Sequence, residues 1–108
     1  MLPSSGDRSR TPTYDLEEVQ RLVGQGPISC RITRTALLGA TGLQLADVHV
    51  IEAVLLLNRS DFYKSMPSDE SPGLWQDVYR TRYRGLELYI KLQINEHGFA
   101  VVIQFKRR

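Results

Sequence analysis

Trp75-Gln76-Asp77-Val78-Tyr79-Arg80-Thr81-Arg82-Tyr83, then Arg84-Gly85, then Leu86-Glu87-Leu88-Tyr89-Ile90-Lys91-Leu92-Gln93-Ile94-Asn95, is the stretch that decides the fold. Apolar residues recur here at every second position, the period of a pleated strand whose side chains alternate between two faces. Gly85 and the Asn95-Glu96-His97-Gly98 stretch supply turn residues, which tolerate the backbone angles that hairpins demand. Three strands are expected, over about 75–83, 86–95 and 99–106, as an antiparallel meander. In the middle strand Leu88, Ile90, Leu92 and Ile94 share the inward face, and Tyr89, Lys91 and Gln93 the outward one. In the last strand Val101, Ile103 and Phe105 are expected inside, with Gln104 and Lys106 outside. The first strand is less regular, because Trp75, Val78 and Tyr79 are all large while Gln76, Asp77 and Arg80 are polar. The open face therefore collects cations, an aromatic ring and amides, and Asp77 is the one acid that could join it.

Upstream of Trp75 the period is helical. Asp15 stands at an N-cap position with Glu18 three residues on, the spacing of a capping box. Leu16, Val19, Leu22 and Val23 form one apolar stripe, and Gly24 and Gly26 stop the helix. Ile28 to Ile32 reads as a short strand, and Thr33 caps a second helix, Arg34 to Thr41, which ends at Gly42. Leu45 to Leu57 carries the strongest helical pattern: Val48, Ile51, Val54 and Leu55 recur at helical spacing, and the nearly continuous apolar character predicts deep burial. Ser60 to Met66 reads as one further helical turn capped by Ser60, and Pro67 to Gly73 as a loop. Residues 1–12, with Pro3, Gly6 and Pro12, read as a mobile tail, leaving residues 13–108 as one domain. Helices followed by a meander make an α+β fold, with the helices packed on one face of a small antiparallel sheet.

Composition narrows the class. A chain of 108 residues has room for one domain. With 24% charged and 42% hydrophobic residues it is neither disordered, collagen-like nor a disulfide scaffold. The single cysteine, Cys30, cannot form an internal disulfide or a zinc cluster, which fits a reducing cytoplasm. Met1 to Tyr14 lacks the apolar core of a secretory signal. The longest apolar run, Ala53 to Leu57, is far short of the roughly 20 residues of a membrane span. A cytoplasmic protein with no membrane partner is expected. The net charge of +2 says little by itself, but its distribution says more. Arg80, Arg82, Arg84 and Lys91 face only Glu87 nearby, and the chain closes on Lys106-Arg107-Arg108. A basic C-terminal third suits an anionic partner.

The chemistry-bearing signatures are few. There is no phosphate-binding P-loop and no dinucleotide fingerprint. His49 and His97 are separated too widely to suggest a metal pair or a nucleophile triad, and Cys30 has no adjacent base. Glu17-Glu18 and Asp69-Glu70 read as solvated surface. Lysines, tyrosines and amides remain. These suit phosphate chemistry on RNA, which carries its own nucleophile in the 2′-hydroxyl. A protein then has to orient that hydroxyl, move protons and stabilise the added charge of the phosphorane, for which lysines serve by direct electrostatics. The same residue types also suit a solvated strand face, so composition leaves both readings open.

Three blocks decide between them: Asp61-Phe62-Tyr63-Lys64-Ser65-Met66, Trp75-Gln76-Asp77-Val78-Tyr79-Arg80, and Leu88-Tyr89-Ile90-Lys91 with the closing Ile103-Gln104-Phe105-Lys106. Together they resemble the MqsR family of mRNA interferase toxins, as do Thr11-Pro12-Thr13-Tyr14-Asp15 and Thr33-Arg34-Thr35-Ala36-Leu37. The resemblance runs from about residue 11 to the end. It implies a RelE-like ribonuclease fold and a toxin of a type II toxin–antitoxin system. It implies a metal-independent endoribonuclease, without cofactor, that cleaves single-stranded mRNA at short GC-containing sites and so inhibits translation and growth. It also implies a cognate antitoxin with a DNA-binding region that represses the shared operon.

Carried over by position, the resemblance implies catalytic roles for Lys64, Gln76, Tyr89 and Lys106, and no metal site. Lys64 and Lys106 would neutralise the scissile phosphate, Tyr89 would orient the nucleophile or transfer a proton, and Gln76 would bind phosphate or a base edge. Arg80 and Lys91 would hold flanking phosphates, and Tyr63 would stack on an unpaired base. The alternation argument independently puts Tyr89 and Lys106 on one face; it does not bring Lys64 or Gln76 there. Family members often carry a histidine in the loop between the first two blocks, whereas Ser68 to Leu74 has none, which puts the cleavage sequence in doubt. The end is Arg107-Arg108 where an acid–lysine pair is more common. The runner-up reading is a non-enzymatic RNA- or DNA-binding regulator using the same cationic sheet. A third is a protein-interaction module docking through the apolar helix surface.

Overall fold

The computed structural model describes residues 10–108, so most of the tail expected over 1–12 lies outside the described residues. The chain order is α1 (Leu16–Gly24), β1 (Cys30–Ile32), α2 (Arg34–Gly42), α3 (Asp47–Leu55), β2 (Phe62–Pro67), β3 (Trp75–Tyr83), β4 (Leu86–Ile94) and β5 (Ala100–Arg107). The strands form one five-stranded sheet in the order β1-β5-β4-β3-β2. Neighbours are antiparallel except β1, which runs parallel to β5 at the edge. The fold is α+β as expected, and the meander β3-β4-β5 is its centre. The sheet is larger than the meander and mixed.

One face of the sheet carries the core. Leu16, Val19, Leu22 and Val23 of α1 pack there with Ala36 and Ala40 of α2, Val50, Ala53 and Val54 of α3, and Tyr79, Leu88, Ile90, Leu92, Val102 and Phe105 of the strands. Small residues on α2 let it lie directly on β5. A Cβ on Gly39 would sit 1.9 Å from the Phe105 carbonyl oxygen. Thr33 anchors the start of α2: its hydroxyl accepts from the Ala36 N–H at 3.1 Å and donates to the Ile103 carbonyl at 2.7 Å. Asp77 of β3, fully buried, accepts from the Thr13 and Tyr14 N–H groups at 3.0 and 2.9 Å. Those bonds hold the entry to α1 against β3.

Several expectations are corrected. Ser60 to Met66 is not a helical turn: only Arg59–Asp61 turns, and Phe62–Pro67 is an edge strand paired with β3. A short segment takes its structure from its neighbours, and the backbone groups of β3 needed a partner on that side. The long apolar helix is shorter than 45–57 and turned differently. Val50, Ala53 and Val54 face inward, while Val48 and Leu55 are largely exposed. With apolar residues nearly all round, periodicity could not choose the buried face. The Asp15–Glu18 capping box does not form: Glu18 pairs with Arg21 at 2.6 Å, and Arg59 lies 2.7 Å from Glu17 and 3.8 Å from Asp15. Val101 and Ile103 do not face the core. Pairing shifts between Lys91 and Leu92, so that Gln104 and Val102 are their partners and Ile103 is a bulged extra residue. Ala100 and Val102 therefore point inward and Val101 outward. Asp77 lies on the helix side and so does not join the open face.

Gly39 gives a direct test of the α2–β5 contact. Alanine gains about 1 kcal/mol of helix propensity over glycine, but its methyl group would overlap backbone, which cannot swing aside. Gly39→Ala is expected to lose about 3 kcal/mol or more. Its thermal midpoint, read by circular dichroism, should fall by more than about 10 °C.

Candidate functional site

Register, rather than proximity in sequence, assembles the open face. Lys64 of β2 pairs with Val78 of β3, Val78 with Lys91 of β4, and Lys91 with Gln104 of β5, giving one row across the sheet. The adjacent row is Arg80, Tyr89 and Lys106. Tyr63 is the extra residue of a second bulge, between the pairs Phe62–Tyr79 and Lys64–Val78. Its ring lies 6.2 Å from that of Tyr89, and the Arg80 guanidinium stacks 4.3 Å from its centre. The Lys64 ammonium is 5.5 Å from the Tyr63 ring centre, and the Lys106 ammonium 5.8 Å from that of Tyr89.

These side chains line a groove with two connected chambers. One, of about 230 Å³, is walled by Tyr63, Lys64, Val78, Tyr89, Lys91 and Lys106. The other, of about 270 Å³, is walled by Thr33, Asp69, Glu70, Gln76, Lys91 and Gln104. Lys91 and Gln104 border both. The structure thus brings Lys64, Tyr89, Lys106, Tyr63 and Lys91 together in one chamber, with Arg80 stacked at its side. Gln76 lies in the next chamber, where its amide donates to Ser68 Oγ at 3.3 Å.

The cations of the groove form no ion pair among the described residues. Several arginines elsewhere are paired: Arg82 and Arg108 with Glu87, Arg84 with Glu52, Arg59 with Glu17. Among the described residues, no carboxylate lies within 4.0 Å of Lys64, Arg80, Lys91 or Lys106. Partial burial pushes the Lys91 ammonium below its ordinary pKa, and repulsion from Lys106 and Lys64 adds to this, while Asp69 opposes it. Cations crowded without counter-ions raise the free energy of the empty protein, and an anion placed among them relieves it.

Other titratable candidates are accounted for. Cys30 is buried, and burial raises its pKa, so it is not a poised thiolate. His49 accepts from the Ala46 N–H at 2.9 Å at the start of its own helix. Sequence reasoning put Gln104 on the open face without assigning it a role, and set aside Asp69 and Glu70 as loop surface. The signal for Gln104 was its alternation with Phe105; the loop of the two acids was marked only by the histidine it lacks relative to the family.

A family model described as motility quorum-sensing regulator, toxin of MqsA, matches residues 11–107. The chain belongs to the MqsR toxin family. It is 36% identical over 99 residues to the mRNA interferase toxin MqsR of Escherichia coli strain K12, covering 92% of this chain and 97% of that protein. The match spans every strand and helix that builds the groove. Among the described residues, no single helix is long and apolar enough to cross a membrane.

Lys91 provides a pH test. Its folded-state pKa is lowered, so below that value the fold bears the full penalty of its charge, and stability rises as pH climbs from there toward the ordinary lysine value of 10.5. Lys91→Gln removes the penalty. The variant should melt higher than the wild type at pH 7, with the gap closing toward pH 10.5.

Proposed function

We propose that this chain is a metal-independent endoribonuclease that cleaves single-stranded mRNA at short GC-containing sites by attack of the RNA 2′-hydroxyl. The observation that carries this reading is the cluster of three lysines, Lys64, Lys91 and Lys106, from two adjacent rows around Tyr89 in one groove. Family membership supports it, since the E. coli relative is named an mRNA interferase toxin.

The reaction needs no group beyond those of the protein and the RNA. The 2′-oxygen attacks the adjacent phosphorus, its proton leaves, and the bond to the departing 5′-oxygen breaks as that oxygen takes up a proton. The products are a 2′,3′-cyclic phosphate and a free 5′-hydroxyl. Lys64 and Lys106, on opposite sides of Tyr89, offset the charge that develops on the phosphorane oxygens. Tyr89 lies between them and orients the nucleophile or transfers a proton. Lys91 and Arg80 hold the flanking phosphates, and Tyr63 offers a ring to an unstacked base. Gln76, held by Ser68, reads a phosphate or a base edge from the second chamber. A MqsA-like antitoxin is the partner expected for the protein, and it would restrain growth inhibition by the toxin.

Cleavage of a long unstructured RNA in EDTA is the decisive assay. Wild-type protein should yield discrete fragments at undiminished rate with chelator present. Lys64→Ala, Lys106→Ala and Tyr89→Phe should each slow cleavage by about 10²–10³-fold. Intact RNA together with salt-sensitive binding would instead support a non-enzymatic RNA-binding regulator.

A further inference from the structure

Lys64 is held by less of the sheet than the other groove lysines. It stands on β2, an edge strand whose single neighbour is β3. Lys91 and Lys106 stand on β4 and β5, each flanked on both sides. The bulge at Tyr63 lies directly before Lys64, and a bulge interrupts the ladder and bends the strand locally. A strand paired along one side can still tilt about that side. The place of the Lys64 ammonium therefore depends on what restrains β2 from beneath.

One connected set of hydrogen bonds lies there. Ser65 and Asp77 are partners across the β2–β3 ladder, between the pairs Lys64–Val78 and Met66–Gln76. Both are closed to solvent, at 0% and 1% exposure, and neither lines the groove. Thr13 joins them. Its N–H donates to Asp77 Oδ1 at 3.0 Å, and its hydroxyl shares a hydrogen bond of 2.6 Å with Ser65 Oγ. Tyr14 N–H donates to Asp77 Oδ2 at 2.9 Å, and the Tyr14 hydroxyl to the Trp75 carbonyl at 2.7 Å. A second tie, Arg59 to Glu17 at 2.7 Å, reaches the turn before β2, but both partners are largely exposed. Exposed ion pairs contribute little, whereas hydrogen bonds to buried groups are costly to break.

We infer that Thr13, Ser65 and Asp77 form a clamp that holds Lys64 in place in the groove, so that Thr13 and Ser65 are positioning residues for RNA cleavage. The inference rests on the ribonuclease reading for its reaction and adds residues to it. The clamp acts through the backbone. Asp77 is a fixed point in β3, next to Gln76. Thr13 carries that point across to Ser65, next to Lys64. A bond on the underside of β2 resists the tilt that would swing Lys64 on the upper side. A misplacement of about 1 Å at a reacting group can cost about 10²-fold in rate, and loosening one bond of the clamp costs part of that.

The test is a double-mutant cycle on the full chain, run well below the melting temperature of every variant. Single-turnover cleavage of a short single-stranded RNA is one readout. Fluorescence anisotropy with the 2′-fluoro version, which 2′-attack cannot cut, is the other. Ser65→Ala and Thr13→Val each remove one hydroxyl of the shared bond and should slow cleavage by about tenfold. Thr13→Ser keeps the hydroxyl and should stay within about twofold of wild type, as should Glu17→Gln, which breaks only the exposed ion pair. In a Lys64→Ala background Ser65→Ala should slow cleavage by less than about twofold further, because the clamp then has no lysine to hold. Binding should follow the same pattern, with about a threefold loss from Ser65→Ala when Lys64 is present and none when it is absent. A fold that was merely weakened would slow cleavage by one factor in both backgrounds. Equal factors in both backgrounds, or a wild-type rate in either Ser65→Ala or Thr13→Val, overturn the inference. Coupling to Lys64 in binding, without cleavage by wild type, upholds the clamp and overturns the ribonuclease reading. No cleavage and no coupling in binding overturn both.

Discussion

The parity of the pleat is the constraint on which this structure depends. A strand in a one-sided sheet must send alternate residues to the core and to the open face, and a single slip exchanges the two sets. Two strands here could not satisfy both faces with regular alternation. In β2, Phe62 belongs to the core against Tyr79, yet Lys64 is required on the opposite side. In β5, Val102 and Phe105 both belong to the core although three positions separate them. One bulge in each strand, at Tyr63 and at Ile103, resolves the conflict. The two bulges flank the same row, Lys64–Val78–Lys91–Gln104, so the irregularities that keep the core intact also define the groove.

The helix layer supports that arrangement. The Thr33 hydroxyl joins the start of α2 to the carbonyl of the bulged Ile103, and the missing side chain at Gly39 lets α2 rest on β5 just beyond it. On the other side Asp77 fastens the segment before α1 to the centre of β3. Both devices act from beneath the sheet. The upper face is left free to concentrate cations that form no ion pair among the described residues, and burial and mutual repulsion at Lys91 show the cost in stability. Such conflict between stability and site chemistry is expected where a sequence departs from local consistency.

Charge in the groove is graded. The end near Tyr89 holds cations and rings; the end near Gln76 holds amides and two acids.

The sequence by itself determined the α+β class, the meander and its hairpins, the α1 stripe, the Thr33 cap, and the outward placement of Tyr89, Lys91, Gln104 and Lys106. These follow from local periodicity and turn chemistry, which neighbouring residues settle among themselves. The family resemblance named Lys64 and Gln76, but no local pattern placed them. Only the tertiary structure decided that Phe62–Pro67 is a strand, which face α3 buries, where the bulges fall, and that Asp69 and Glu70 wall the groove. Each of these depends on a partner distant in sequence: an edge strand exists because β3 has backbone groups to pair, and a bulge exists because two strands must keep register over one core. Periodicity records what a segment can do alone, and such choices are made between segments.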